Sequence, residues 1–116
     1  MKKSKMEQAL ERAAAEIQRN GFANIILESV PSRTWGFVAR IKWRGEVCAR
    51  ASGCGYDKHG ACLADFLRPV CGVSVNGAAG VRVVALACAE AGWILEHTYS
   101  GHREHGYTLV RSGGAP

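Results

Sequence analysis

The stretch Thr34-Trp35-Gly36-Phe37-Val38-Ala39-Arg40-Ile41-Lys42-Trp43-Arg44-Gly45-Glu46-Val47-Cys48-Ala49-Arg50-Ala51 decides the fold. Trp35, Phe37, Ala39 and Ile41 alternate with Gly36, Val38, Arg40 and Lys42, the two-residue period of a half-buried strand. One face of that strand, 34–42, is apolar and the other largely basic. A second strand, 46–51, follows at once with Val47, Ala49 and Ala51 as its apolar set. Two such strands so close together make a hairpin. A two-residue loop, Arg44-Gly45, would pair Trp43 with Glu46 and set Arg40 opposite Ala49, turning the two apolar faces to opposite sides. A three-residue loop, Trp43-Arg44-Gly45, avoids this and puts glycine where positive φ is needed. It pairs Ile41 with Val47, Ala39 with Ala49 and Phe37 with Ala51, and sets Lys42 beside Glu46. That register is the expected one, because a one-residue slip would bury arginines.

Working outward, Met6, Leu10, Ala13, Ala14 and Ile17 recur at helical spacing and predict a helix over 3–20, stopped at Asn20-Gly21. Residues 24–30 read as a strand broken by Pro31-Ser32. Downstream, Ser52-Gly53-Cys54-Gly55-Tyr56-Asp57 is a glycine-flanked corner that launches a helix. Asp57 is its N-cap, Leu63, Phe66, Leu67 and Val70 form its apolar stripe, and Pro69 marks its end. Residues 71–80 read as a loop. Residues 81–91 read as a helix apolar nearly all round, hence the most buried one, ended by Gly92. Strands at 93–99 and 106–111 then flank a loop at 100–105. The fold class is α+β: one antiparallel sheet of about five strands, order α-β-β-β-α-α-β-β, with helices packed on one face. The chain of 116 residues makes one domain, 1–116, with 1–5 and 112–116 flexible.

The composition, 47% hydrophobic and 22% charged, is that of a globular domain. No apolar run reaches the ~18 residues of a membrane span. The charged residues after Met1-Lys2-Lys3 reject a secretory signal, so the cytoplasm is the expected location. Five cysteines, odd in number and without a Cys-x-x-Cys pair, read as free thiols. The net charge of +5 favours an anionic partner.

Several constellations bear on chemistry. Gly53 to Lys58 stands where a loop could cradle phosphate, but Asp57 competes with an anion and no phosphate-loop pattern is met, so the glycines read first as a structural corner. Cys54, His59 and Cys62 form one possible ligand set for a metal, and His97, His102 and His105 another. Cys54 with His59 is the only local nucleophile and base pair, with no orienting third group. The basic strand face is the stronger feature: Arg33, Arg40, Lys42, Arg44 and Arg50 lie on or near one surface, with Trp43 as an aromatic at the hairpin tip. Tyr56 and Lys58 at the corner extend it.

Two resemblances follow. Ala49 to Lys58, leading into an alanine-rich helix, resembles a segment of small phage and prophage proteins, a class that includes anti-CRISPR and other anti-defence inhibitors. Such proteins occlude a nuclease complex and carry no catalytic residues. Residues 3–69, in the order α-β-β-β-α, resemble a double-stranded-RNA-binding domain, though only Lys58 stands where that family opens its second helix with several lysines. The expected function is therefore a non-enzymatic binding protein of mobile-element type, without a cofactor. It would inhibit or modulate a host protein or nucleoprotein complex through the basic β-face and would not bind membrane. The alternatives are a nucleic-acid-binding domain and a small cysteine-dependent enzyme.

Overall fold

Ser4 begins the first element. Its side chain accepts a hydrogen bond from the Glu7 amide at 3.1 Å, capping helix α1 (Lys5–Asn20). The left-handed Gly21 (φ 71°) closes it by donating to the Ile17 carbonyl at 2.8 Å. The buried face of α1 is Ala9, Ala13, Ala14 and Ile17, a stripe small enough for the helix to lie close to its neighbours. The structure is a computed structural model that describes residues 2–34, 36–52, 57–73 and 80–112, with the backbone alone at Ser52, Asp57 and Lys58.

Strands β1 (Phe22–Ser32), β2 (Gly36–Trp43) and β3 (Glu46–Ser52) form an antiparallel meander. Helices α2 (Asp57–Cys71) and α3 (Val81–Glu90) follow, and strands β4 (Trp93–Gly101) and β5 (Glu104–Arg111) end the chain. The terminal hairpin adds β5 to the open side of β1, so the sheet order is β3-β2-β1-β5-β4, antiparallel throughout. The element order and the α+β class are those the sequence predicts. Core side chains come from one face of the sheet (Ala23, Ile25, Leu27, Ala39, Ile41, Leu109) and from α2 (Leu63, Phe66, Leu67). No helix among the described residues is long and apolar enough to cross a membrane.

The β2–β3 register differs from expectation. The loop has two residues, Arg44 (φ 52°) and Gly45 (φ 81°), both in the left-handed region that a type I′ turn requires, and Trp43 pairs with Glu46. The clash of faces is resolved by a bulge. Lys42 pairs with Val47, but Ile41 pairs with Ala49, so Cys48 is the extra residue. The bulge lets Cys48 and Ala49 both turn inward, and beyond it Ala39 faces Ala51 with the apolar sets on one side.

Other boundaries move for identifiable reasons. Pro31 does not break β1. The Ser29 amide points toward the β5 side, where it meets the Arg103 carbonyl at 2.8 Å, and Pro31 has the same parity. The β1–β5 ladder ends at Glu28, so the missing N–H of Pro31 faces no strand. Pro69 lies inside α2, which runs on to Cys71. Gln18 donates to the Pro69 and Val70 carbonyls at 2.9 and 3.2 Å, and Gly72 (φ 71°) supplies the stop. The β4–β5 loop shrinks to His102-Arg103, with Arg103 at φ 63°. Helix α3 is not the most buried. It packs on α2 and β4, burying only Val84 and Cys88 fully, while Val83 and Leu86 are exposed. The expectations for the corner at 53–56, for Trp35, for 74–79 and for the tail at 113–116 lie outside the described residues.

Candidate functional site: the open face of the sheet

The helices cover one face of the sheet. On the other, strand register sets the side chains in rows. Phe22, Val110 and Ile94 form one row across β1, β5 and β4. Asn24, Thr108 and Glu96 form the next, and Ile26, Gly106 and Tyr99 a third. The apolar members are Phe22 (46% exposed), Ile26 (42%), Ile94 (45%), Val110 (39%) and Tyr99 (49%). Gly106 matters to this surface. A side chain there would meet the Tyr99 Cβ at 3.1 Å and the Ile26 Cδ1 at 3.6 Å, so its absence lets Tyr99 and Ile26 close over β5. The two apolar rows are separated by the polar row of Asn24, Thr108 and Glu96, so the surface alternates apolar and polar side chains.

Toward β2 and β3 the same face becomes basic. One row reads Glu104, Glu28, Arg40, Arg50 across β5, β1, β2 and β3. Arg40 donates to Glu28 at 3.1 Å, an ion pair with both partners partly shielded. Arg50 stands directly opposite Arg40 and is exposed, as is Lys42. Phe22, Ile26, Asn24 and Lys42 share a groove of about 390 Å³ with Trp43 and Arg44, which joins the apolar and basic halves. Around the β3 edge lies a larger groove of about 700 Å³. Lys5 and Arg12 from α1 meet Arg40 and Arg50 there, with Glu46 as the one carboxylate in its lining. Arg12 is paired with that Glu46.

The structure divides the expected site. Arg40, Lys42 and Arg50 share the open face, and Arg33 is exposed in the β1–β2 turn. Trp43 does not offer a ring for stacking. It packs against Phe66 with centroids 6.3 Å apart, and its Nε1 donates to Glu16 at 3.2 Å. Arg44 likewise turns to α1, gripping Glu16 with Nε at 2.7 Å and a second bond from Nη2. These donors, Arg44 first and Trp43 second, hold the Glu16 carboxyl down at about 2. The pair thus fastens the hairpin tip to the helix. Tyr56 lies outside the described residues, and Lys58 is placed by its backbone in the first turn of α2.

The sequence reading missed the apolar half. Its signal was present in Phe22-Ala23-Asn24-Ile25-Ile26-Leu27, which is apolar at both parities and so cannot bury both sets against one layer of helices. Of the nucleophile and metal candidates, Cys54 lies outside the described residues. Cys62 is fully buried, and that burial pushes its thiol up to about 12. His97 and His105 come together, but His102 stands exposed in the turn and His59 takes its place as their neighbour. Among the described residues, no group of three or more His, Cys, Asp and Glu side chains is placed to hold a metal ion. No protein-family model, no curated protein and no solved structure matches this chain.

Proposed function

We propose that this protein is a non-enzymatic binding module that docks the open face of its sheet on a partner protein, in the manner of mobile-element inhibitors that occlude a host complex. The observation that carries this reading is the apolar surface of Phe22, Ile26, Ile94, Val110 and Tyr99 lying beside Arg40, Lys42 and Arg50. Exposed apolar side chains mixed with polar ones and bordered on one side by cations suit a protein interface, which is only about as apolar as the rest of a protein surface. A surface that gripped only a phosphate backbone would need the cations without the apolar rows. The partner therefore presents an apolar patch bordered by carboxylates, for which the basic half supplies steering. The phage-like segment 49–58 motivates the inhibitor role.

Affinity capture from host-cell lysate tests this. The wild-type chain is expected to retain one partner in stoichiometric amount. Phe22→Asp with Ile94→Asp should release it, and Lys42→Glu should weaken retention and flatten its salt dependence. Arg40 is a poor choice for reversal because it is tied to Glu28. Equal recovery by wild type and the double variant would reject the open face as the contact.

A second reading has its own support. Residues 5–71 place α1 and α2 on one face of a three-stranded meander, the arrangement expected for a double-stranded-RNA-binding domain. It predicts retention on duplex RNA that falls steeply with salt and is unaffected by Phe22→Asp.

A further inference from the structure

The larger groove, around the β3 edge, is built by two elements of matching reach. On α1, Lys5, Ala9 and Arg12 recur at helical spacing and share one stripe, with Met6 beside it. On the sheet, Glu46, Val47 and Arg50 of β3 form the second wall, and Arg40 adjoins it from β2. Arg12 pairs with Glu46 and closes one end. Back along α1 from Arg12, about 10 Å by helical rise, stands Lys5. Onward along β3 from Glu46, about 13 Å by strand rise, stands Arg50. The space between the walls is about 700 Å³. β3 ends the sheet, so no further strand of it lies along that side.

The charges in this groove do not balance. Lys5, Arg12, Arg40 and Arg50 line it against the single carboxylate of Glu46. Arg12 is committed to Glu46, and Arg40 to Glu28 on β1 at 3.1 Å. Among the described residues, Lys5 and Arg50 have no ion-pair partner, and both are exposed. Arg50 also stands directly opposite Arg40, a like-charge conflict that a bound anion would relieve. Met6, Ala9 and Val47 add apolar contact between the cations. Among the described residues, no aromatic ring lines the groove, whereas single-stranded nucleic acid is gripped by stacking its bases on such rings. In an extended peptide, alternate side chains fall on one side about 6.6–6.8 Å apart, so a short acidic segment presents successive carboxylates to the groove.

The geometry points to a binding groove for an extended acidic peptide segment, laid between α1 and β3 with its carboxylates on Arg50 and Lys5. The planar guanidinium of Arg50 offers a carboxylate two parallel N–H donors. Arg12 and Arg40 add positive field while keeping their own partners. The apolar rows of the open face take no part, so this groove is a second contact beyond the docking proposed above.

The test is an NMR titration of the full chain with a capped hexapeptide of alternating glutamate and serine, in about 50 mM salt, where exposed charges are weakly screened. Backbone amides near Ala9 and near Val47 should shift together and saturate as one site. A glutamine-serine peptide of the same length should leave them unmoved. Lys5→Gln and Arg50→Gln should each weaken binding about two- to fivefold, the worth of one exposed charge pair, and together about tenfold. The amide spectra of these variants show directly that the fold is kept. Phe22→Asp with Ile94→Asp should bind the peptide as the wild type does, which separates failure of this groove from failure of the open-face docking. Oligothymidylate of matching length should bind more weakly than the acidic peptide. No shift with the acidic peptide, equal shifts with the neutral one, undiminished affinity in the double glutamine variant, or tighter binding of oligothymidylate would each overturn the proposal.

Discussion

At the scale of single residues, Glu16 shows how a surface carboxylate can matter to the fold. Arg44 and Trp43 both donate to it, and its carboxyl is held at about 2 against an ordinary value near 4.3. A depressed acid stabilises the folded state above the unfolded value and loses that contribution as pH falls toward the folded one. The gap in melting temperature between the wild type and Glu16→Gln should therefore be widest above about pH 5 and narrow as pH falls toward 2. A gap that stays constant across that range would contradict it. The thiols give a second residue-scale prediction. Cys62 is fully buried and its thiolate disfavoured, and Cys48 is buried in the bulge with its thiol also pushed up by burial. Both should resist iodoacetamide in the native protein and react on denaturation, read by mass spectrometry of the labelled peptides. Rapid native labelling at Cys62 would contradict its placement.

At the scale of elements, the β2–β3 hairpin separates what the sequence makes legible from what it does not. The alternation of Phe37, Ala39 and Ile41 identified the strand, and Val47, Ala49 and Ala51 its partner. The same alternation hid the bulge, because a strict period of two can be reconciled across a two-residue turn only by an extra residue, and nothing local marks Cys48 as that residue. The three-residue loop solved the same conflict of faces by another route. The turn itself was readable in hindsight from Gly45, though Arg44 in the left-handed region was not, since glycine or asparagine usually holds that place. Gly45→Ala meets open space but must hold φ near 81°, so it should cost about 1–2 kcal/mol in urea denaturation. No measurable loss would mean the turn relaxes to another form. Helix α3 was misread for a related reason. Its composition, Val-Arg-Val-Val-Ala-Leu-Ala-Cys-Ala-Glu, is apolar enough for the core, but burial depends on how many layers surround a helix, and α3 lies at the margin over β4.

At the scale of the molecule, the sheet has one sheltered face and one open face, and the open face is divided between apolar rows on β1, β5 and β4 and cations on β2 and β3. Of the binding residues expected from sequence, the basic strand positions were legible because period two fixes which face each takes. Trp43 and Arg44 were not, because the turn directs them to α1. The charge arrangement on the open face also works against stability. Arg40 and Arg50 stand directly opposite, and like charges so placed destabilise an antiparallel pair. Their neighbours do not remove the conflict, since Glu28 serves Arg40 and not Arg50. A protein selected for stability alone would gain by placing an acid at position 50. Arg50→Glu should therefore raise the urea midpoint, by an amount worth about 0.2–1 kcal/mol for one cross-strand pair, and at the same time weaken retention of the captured partner. The two effects are measured on the same purified variant, by equilibrium denaturation and by titration with the partner. Stabilisation together with weaker binding identifies Arg50 as a residue kept for contact at a cost in stability. Stabilisation with undiminished binding would move the contact away from the β3 side and onto the apolar rows alone, which Phe22→Asp with Ile94→Asp tests. Destabilisation would show that Arg50 has a structural role in the groove it lines with Lys5 and Arg12, and the trade between stability and binding would have to be abandoned.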